Sequence, residues 1–199
     1  MNIVHVDERL VVVDKPSGLL SVPGRGPDKQ DCASSRVQAI YPDALIVHRL
    51  DQATSGLLVL ARGPEWQRSL SREFAERRVA KRYVAVVQGR PEAAAWQLVD
   101  LPLSCDWPNR PRQQVDRLHG KAALTRWRVL QPEGACRTRI ELEPVTGRTH
   151  QLRVHMAALG YPICGDPLYG PGEPSAERLL LHAADLTLLG QQFSAPLPF

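Results

Sequence analysis

The apolar residues of this 199-residue chain fall in short runs, each closed by a turn signal, and that pattern limits the fold more than any other feature. Runs such as Leu10–Val13, Leu57–Ala61 and Leu179–Leu181 are far shorter than the roughly 18–20 apolar residues a membrane helix needs. Ile3–Val6 and Leu10–Val13 bracket an Asp7-Glu8 turn and read as two short strands. Lys15-Pro16-Ser17-Gly18 and Pro23–Asp28 follow as loop. A short helix is expected around Cys32–Tyr41, stopped by Pro42.

Leu45–Arg49 and Gly56–Arg62 read as strands on either side of a polar segment, Leu50–Ser55. Pro64 opens a helix at the position that best tolerates proline. Within it Trp66, Leu70 and Phe74 recur every four residues as a buried stripe, with Arg68 and Arg72 off the stripe. Val79–Val87 alternates as a strand that puts Val79, Lys81, Tyr83, Ala85 and Val87 on one face. Ala122–Leu130 and Arg137–Glu143 alternate likewise. Thr149–Leu159 is expected as a helix ended by Gly160, with Leu179–Ala183 and Leu186–Leu189 as two last strands. Many strands with about three helices, and no regular strand–helix alternation, imply an α+β fold. Its sheet is expected to be mixed but largely antiparallel, with flanking helices.

The chain is 43% hydrophobic and 23% charged, enough to bury a core, and its length suits one domain. The acidic opening Met1–Glu8 has no apolar segment of the kind that directs secretion, so a cytoplasmic location is expected. The four cysteines (Cys32, Cys105, Cys136, Cys164) form no Cys-x-x-Cys pair and lack zinc-ligand spacing to histidine. They read as reduced thiols, with no metal site. Net charge is only +4, yet 21 of the basic residues are arginines against four lysines. Two stretches, Arg62–Arg90 and Trp107–Arg128, each carry a local excess of +5. Guanidinium forks suit phosphate and stack on bases, which favours nucleic acid; solvated basic faces would give the same counts.

The densest chemical cluster is His48-Arg49-Leu50-Asp51-Gln52-Ala53-Thr54-Ser55-Gly56-Leu57-Leu58. It sets a carboxylate in a turn between two apolar strands, with Arg49 beside it and two hydroxyls beyond. A positioned Asp can serve as nucleophile or base; the same residues also suit an Asx-type turn. This run resembles the signature of the RluA-type pseudouridine synthases. Lys15-Pro16-Ser17-Gly18 is similar to that family's first motif, and Lys81–Gly89 to its tyrosine-bearing strand. Gly120-Lys121-Ala122-Ala123-Leu124-Thr125 resembles its Gly-Lys-x-Ala-x-Thr segment. Gly147–His155, followed by Gly165-Asp166-x-x-Tyr169-Gly170, resembles the final motif. Together these segments span nearly the whole chain in the family's order.

The resemblance implies a pseudouridine synthase catalytic fold over residues 1–199, with no S4-type RNA-binding domain, and no cofactor. Isomerising uridine breaks an N–C glycosidic bond, rotates the freed uracil and rejoins it through carbon, with no redox change. By analogy Asp51 is the nucleophile and Arg148 its buried ionic partner. Tyr83 stacks on the target base, and Leu152 flanks the uracil from the other side. For Leu152 plain core packing is the rival reading. A base taken out of its stack leaves a space that Arg49 fills, or else Arg49 simply supports Asp51. His48, His150, His155 and His182 are expected to be structural hydrogen-bonding residues.

Asp100–Arg112 carries three prolines with Trp107, Arg110 and Arg112, a composition that reads as a stiff RNA-contacting loop. A plain connection with a packed Trp is the alternative. This segment and Leu20–Arg25 resemble the branch of the family that modifies both transfer RNA and large-subunit ribosomal RNA. The expected partners are therefore stem-loops of those two RNAs, with no membrane and no obligatory protein partner. Trp127 stands where the family often has Tyr, a conservative departure. Two competing readings are a catalytically idle RNA-binding module of the same fold and an Asp-nucleophile hydrolase. The first is disfavoured by the retained Asp51, Tyr83 and Arg148, the second by the lack of a paired acid/base group.

Overall fold

The first two apolar runs form a hairpin because Asp7 closes the turn between them. Its carboxylate accepts the amides of Arg9 and Leu10 at 2.8 and 2.9 Å, and β1 (Asn2–Val6) then pairs antiparallel with β2 (Leu10–Lys15). The structure, a computed structural model, describes residues 1–170 and 176–199. These divide into two compact units, Met1–Lys81 with His182–Pro198, and Arg82–Leu181 with Phe199. No helix among the described residues is long and apolar enough to cross a membrane.

In the first unit α1 (Ala33–Gln38) is capped by the Cys32 sulfur and is followed by β3 (Ala44–Ile46) and β4 (Ser55–Arg62). β2 pairs antiparallel along β4 from Leu10 opposite Ala61 to Lys15 opposite Gly56. The other edge of β4 pairs with β3 near Arg62, and near Ser55 with the parallel strand β11 (Leu181–Leu188). That parallel approach requires glycine. Gly56 has φ +112°, and a Cβ there would lie 2.3 Å from the Ala183 carbonyl oxygen. α2 (Gly63–Ala75) lays Leu70, Trp66 and Phe74 against Leu57, Val59 and Ala61, as the four-residue stripe predicted. Burying such a side chain stabilises by about 1.5–3 kcal/mol.

Two strand expectations in this unit are corrected. Leu45–Arg49 pairs only over Ala44–Ile46, because the His48 ring replaces backbone pairing: its Nε2 accepts the Val59 amide at 2.9 Å. Leu179–Ala183 and Leu186–Leu189 are one continuous strand, β11, rather than two. The chain turns later, at Leu189-Gly190, where both residues have positive φ (51° and 75°). Such a pair matches the twist of a two-residue hairpin and leads into β12 (Gln191–Ser194), which pairs back on β11.

The second unit is an antiparallel sheet in the order β5, β10, β9, β6. These strands are β5 (Ala80–Gln88), β6 (Gln97–Asp100), β9 (Leu124–Glu133) and β10 (Arg137–Pro144). Register places Tyr83 opposite Leu142 and Ile140 opposite Ala85. α3 (Gln151–Ala158) buries Gln151 through Met156. The Asp100–Arg112 segment is only partly the loop expected of it. Leu103–Cys105 forms β7 and pairs with β8 (Gln113–Val115), so Asp106–Arg112 is the tip of a hairpin. Among the described residues the strand pairings are largely antiparallel, with β4 and β11 parallel, and three α-helices accompany them, so the fold is α+β, as the sequence pattern implied.

Candidate active site

Asp51 sits half-buried in the turn between β3 and β4, and the loop after β2 holds the backbone on both sides of it. The Lys15 ammonium donates to the carbonyls of Pro16, Leu19 and Gln52 at 3.0, 2.7 and 3.2 Å. Ser17 Oγ donates to the Ala53 carbonyl at 2.7 Å. Ser21 Oγ donates to the Leu50 carbonyl and accepts the Leu50 amide, at 2.7 and 3.0 Å. The Gly18 amide donates to the Gln52 carbonyl at 2.9 Å, and Gln52 Nε2 returns a bond to the Gly18 carbonyl at 3.0 Å. Leu50, Gln52 and Ala53 are thus gripped by this loop, and the Thr54 amide closes the turn on the Asp51 carbonyl at 3.1 Å.

Lys15 is fully buried. Desolvation pulls its pKa down to about 8, against the opposing pull of the Asp51 and Asp14 carboxylates. Its placement was readable in principle, since period-two alternation puts Lys15 on the same face as Val11 and Val13. The sequence reading noted its motif but assigned it no role. Ser17 and Ser21 carry no such signal, because a serine in a loop is the commonest of residues.

Behind the turn His48 stacks on Phe74 with centroids 4.4 Å apart. Desolvation and the Lys81 charge lower its pKa to about 3, which keeps the ring neutral and its Nε2 an acceptor. His182 Nδ1 meets Ser55 Oγ at 2.9 Å. His155 lies between the Thr125 hydroxyl and the Leu101 carbonyl, both at 2.9 Å, and His150 Nδ1 meets the Tyr169 hydroxyl at 2.7 Å. All four histidines are hydrogen-bonding residues, as expected.

In the second unit Tyr83 lies half-buried on β5, and Leu152, 7% exposed, on α3. Arg148 occupies the turn before α3, and that turn is built around the Gln151 side chain. Gln151 Oε1 accepts from the Thr146 hydroxyl and the Arg148 amide at 2.6 and 3.0 Å. Its Nε2 donates to the Leu124 carbonyl and the Thr125 hydroxyl. Arg148 Nε donates to the Ala122 carbonyl at 3.0 Å, so both its backbone and its guanidinium stem are fixed. The side chain is exposed, which corrects the expectation that Arg148 is buried. Gln151 was missed as a positioning residue; a buried amide within a helix start is its only signal.

Arg49 is exposed next to Leu50. At the hairpin tip Trp107 is 68% exposed, which removes the packed-Trp alternative, and the Arg110 guanidinium stacks 4.8 Å over its ring. Arg112 lies 5.5 Å over Tyr169. The basic stretches prove less free than their counts suggested. Arg62 pairs with Asp43, Arg78 with Glu73 and Glu76, Arg126 with Glu143, and Arg128 with the buried Glu141. The four cysteines are free thiols.

Comparison with known proteins identifies the family. The RNA pseudouridylate synthase family matches residues 9–158, a span that includes Asp51, Tyr83, Arg148 and Leu152. The chain is 48% identical over 201 residues to the dual-specificity RNA pseudouridine synthase RluA of Yersinia pestis, covering all of this chain and 97% of that protein. It is 49% identical to the RluA of Escherichia coli K12, covering 99% and 90%. Among solved structures, human RNA pseudouridylate synthase domain containing 1 superposes with a TM-score of 0.82 at 29% identity, over 99% of this chain and 83% of that one. The corresponding human domain containing 4 gives 0.80 at 26%, over 98% and 88%. With a family match over three-quarters of its length and relatives near half-identity along all of it, this chain belongs to the RNA pseudouridine synthase family.

Proposed function

We propose that this synthase uses Asp51 as its nucleophile on uridines in two RNA classes, a transfer-RNA anticodon stem-loop and a loop of large-subunit ribosomal RNA. The supporting observation is the clasp around Leu50–Ala53: it fixes the backbone on both sides of one carboxylate, as a reacting group held to a fraction of an ångström requires. In the reaction the N1–C1′ bond breaks, the uracil turns, and a C5–C1′ bond forms, while C5 loses its proton to solvent and the freed N1 takes one up. Atoms and electrons balance without a cofactor. By the family resemblance Arg148 supplies the positive charge that partners Asp51. Tyr83 stacks on the base, worth about 1–3 kcal/mol, Leu152 covers its other side, and Arg49 fills the space the base leaves.

The whole chain acts as one catalytic domain in the cytoplasm. RNA is gripped by Trp107, Arg110 and Arg112 at the hairpin tip, where an exposed indole and two ring-stacked guanidiniums form a surface for unpaired bases and phosphates. Dual specificity rests on the near-half identity to proteins named for it. The test is release of tritium from C5-labelled uridine in bulk transfer RNA without added cofactor. Release by the wild type and none by Asp51→Asn supports the reading. Equal release by both overturns the role of Asp51.

A further inference from the structure

Tyr169 has no part in the chemistry above, yet it joins two elements that do. It follows a turn anchored on a buried ion pair: Asp166 takes the Arg153 guanidinium in two bonds of 2.8 and 2.7 Å, and its Oδ1 also accepts the amides of Leu168 and Tyr169 at 2.9 and 3.1 Å. The phenol ring projects from this fixed turn with the Arg153 guanidinium 5.1 Å and the Arg112 guanidinium 5.5 Å from its centroid. Its hydroxyl accepts the backbone amide of Gln113, the first residue of β8, at 2.7 Å. The same hydroxyl meets His150 Nδ1 at 2.7 Å, and the two rings lie edge to face.

His150 is the N-cap of α3 and has φ 54°, a left-handed conformation that a residue with a side chain adopts only when its surroundings hold it. Arg148 lies two residues before it and Leu152 two after. One phenol therefore fixes the base of the hairpin bearing Trp107 and Arg110 to the segment 148–152. A phenol offers one donor and two acceptor lone pairs. With one partner on the hairpin and one on the helix cap, its hydrogen bonding is directed to the protein.

We propose that Tyr169 is a positioning residue that holds the RNA-gripping hairpin in register with the start of α3, so that an RNA loop seated on the hairpin presents its uridine to the catalytic residues. This rests on the proposed RNA contact of the hairpin, and the experiment separates the two. Tyr169→Phe keeps the ring between its guanidiniums and the turn on Asp166 while deleting the hydroxyl. In single-turnover assays on an anticodon stem-loop RNA, its half-saturating RNA concentration rises about five- to tenfold, the effect of one lost hydrogen bond. In a Trp107→Ala background the same change adds less than twofold, because the element it positions no longer grips. Hydrogen exchange at the Gln113 amide, measured without RNA, is about tenfold faster in Tyr169→Phe.

An equal Tyr169→Phe effect in both backgrounds makes the residue merely structural and overturns the proposal. So does unchanged exchange at Gln113, or unchanged half-saturation in a Tyr169→Phe variant when Trp107→Ala alone weakens it. If Trp107→Ala itself leaves half-saturation unchanged, the hairpin's RNA contact is refuted first and the positioning role falls with it.

Discussion

Asp51 and Arg148 differ in how much protein surrounds them, and this decides what each substitution reports. Asp51→Asn is nearly isosteric inside a turn gripped on both sides, so turnover is expected to vanish while RNA affinity stays within a few fold. Pseudouridine formation near the wild-type rate rejects the assignment. Arg148→Met is expected to depress single-turnover rate strongly with little change in melting temperature. An exposed substitution usually shifts stability by no more than about 0.5 kcal/mol, whereas stranding one charge of a buried pair costs about 3–5 kcal/mol. A large fall in melting temperature would show that Arg148 carries structural load the geometry does not assign to it. Asp51 could be proposed from sequence because its neighbours lie in one continuous run. The exposure of Arg148 could not be read, since sequence spacing says nothing about which side of a turn faces water. Lys15, Ser21 and Gln151 were not recognised, because each acts on backbone groups distant in sequence: 37 residues for Lys15 to Gln52, 29 for Ser21 to Leu50, and 27 for Gln151 to Leu124.

At the level of elements, the loop after β2 ties stability and catalysis to one proton. The Lys15 pKa of about 8 lies below the ordinary 10.5, so between those values the unfolded chain binds more protons than the folded one. Folding stability therefore rises with pH across that window, by on the order of 3 kcal/mol in total. Turnover moves the other way: a neutral amine has one donor fewer for the carbonyls of Pro16, Leu19 and Gln52, and activity is expected to decline with a midpoint near pH 8. Melting curves and single-turnover rates from pH 7 to 10 check both signs, with Lys15→Met as the control that lacks the stability slope. In the second unit α3 depends on Arg153 and Asp166. Burial raises the Asp166 pKa, but the Arg153 bonds and charge and two amides outweigh it and hold the carboxyl below its ordinary value. Asp166→Asn strands a guanidinium only 3% exposed, so a loss of about 3–5 kcal/mol is expected, read as a clear drop in melting temperature. Elements marked by a clear period, α2 and β10, or by an unbroken apolar run, β4, were readable almost to the residue. β6, β7 and β8 were hidden because they are three or four residues long and lie among prolines. The split of β11 came from Asp185, a polar residue that stays in the strand by accepting the Ser194 hydroxyl at 2.6 Å.

For the whole molecule, the sequence's basic excess pointed to nucleic acid, which membership of an RNA pseudouridine synthase family bears out in kind. Part of it is spent on ion pairs with Asp43, Glu73, Glu141 and Glu143, and the proposed function uses the hairpin tip and Arg49 as RNA-facing cations. A footprint that small can read only a short loop, so two RNAs that share a few bases and one loop shape look alike to it. Recognition of this kind depends on splayed bases and shape rather than long duplex sequence. It also fixes the salt response: affinity for single-stranded loops falls with a log–log slope of about −0.7 per phosphate contacted. Three arginines therefore imply a slope near −2, and Arg110→Gln lowers it by about one contact without changing which uridine is modified. The decisive measurement maps pseudouridine in transfer RNA and large-subunit ribosomal RNA from cells lacking this protein. One site is expected to disappear from each RNA, and both to return with the wild-type chain but not with Asp51→Asn. Loss confined to one RNA class would reject dual specificity and leave the synthase assignment standing, because the chemistry proposed at Asp51 requires a flipped uridine and not a particular RNA around it.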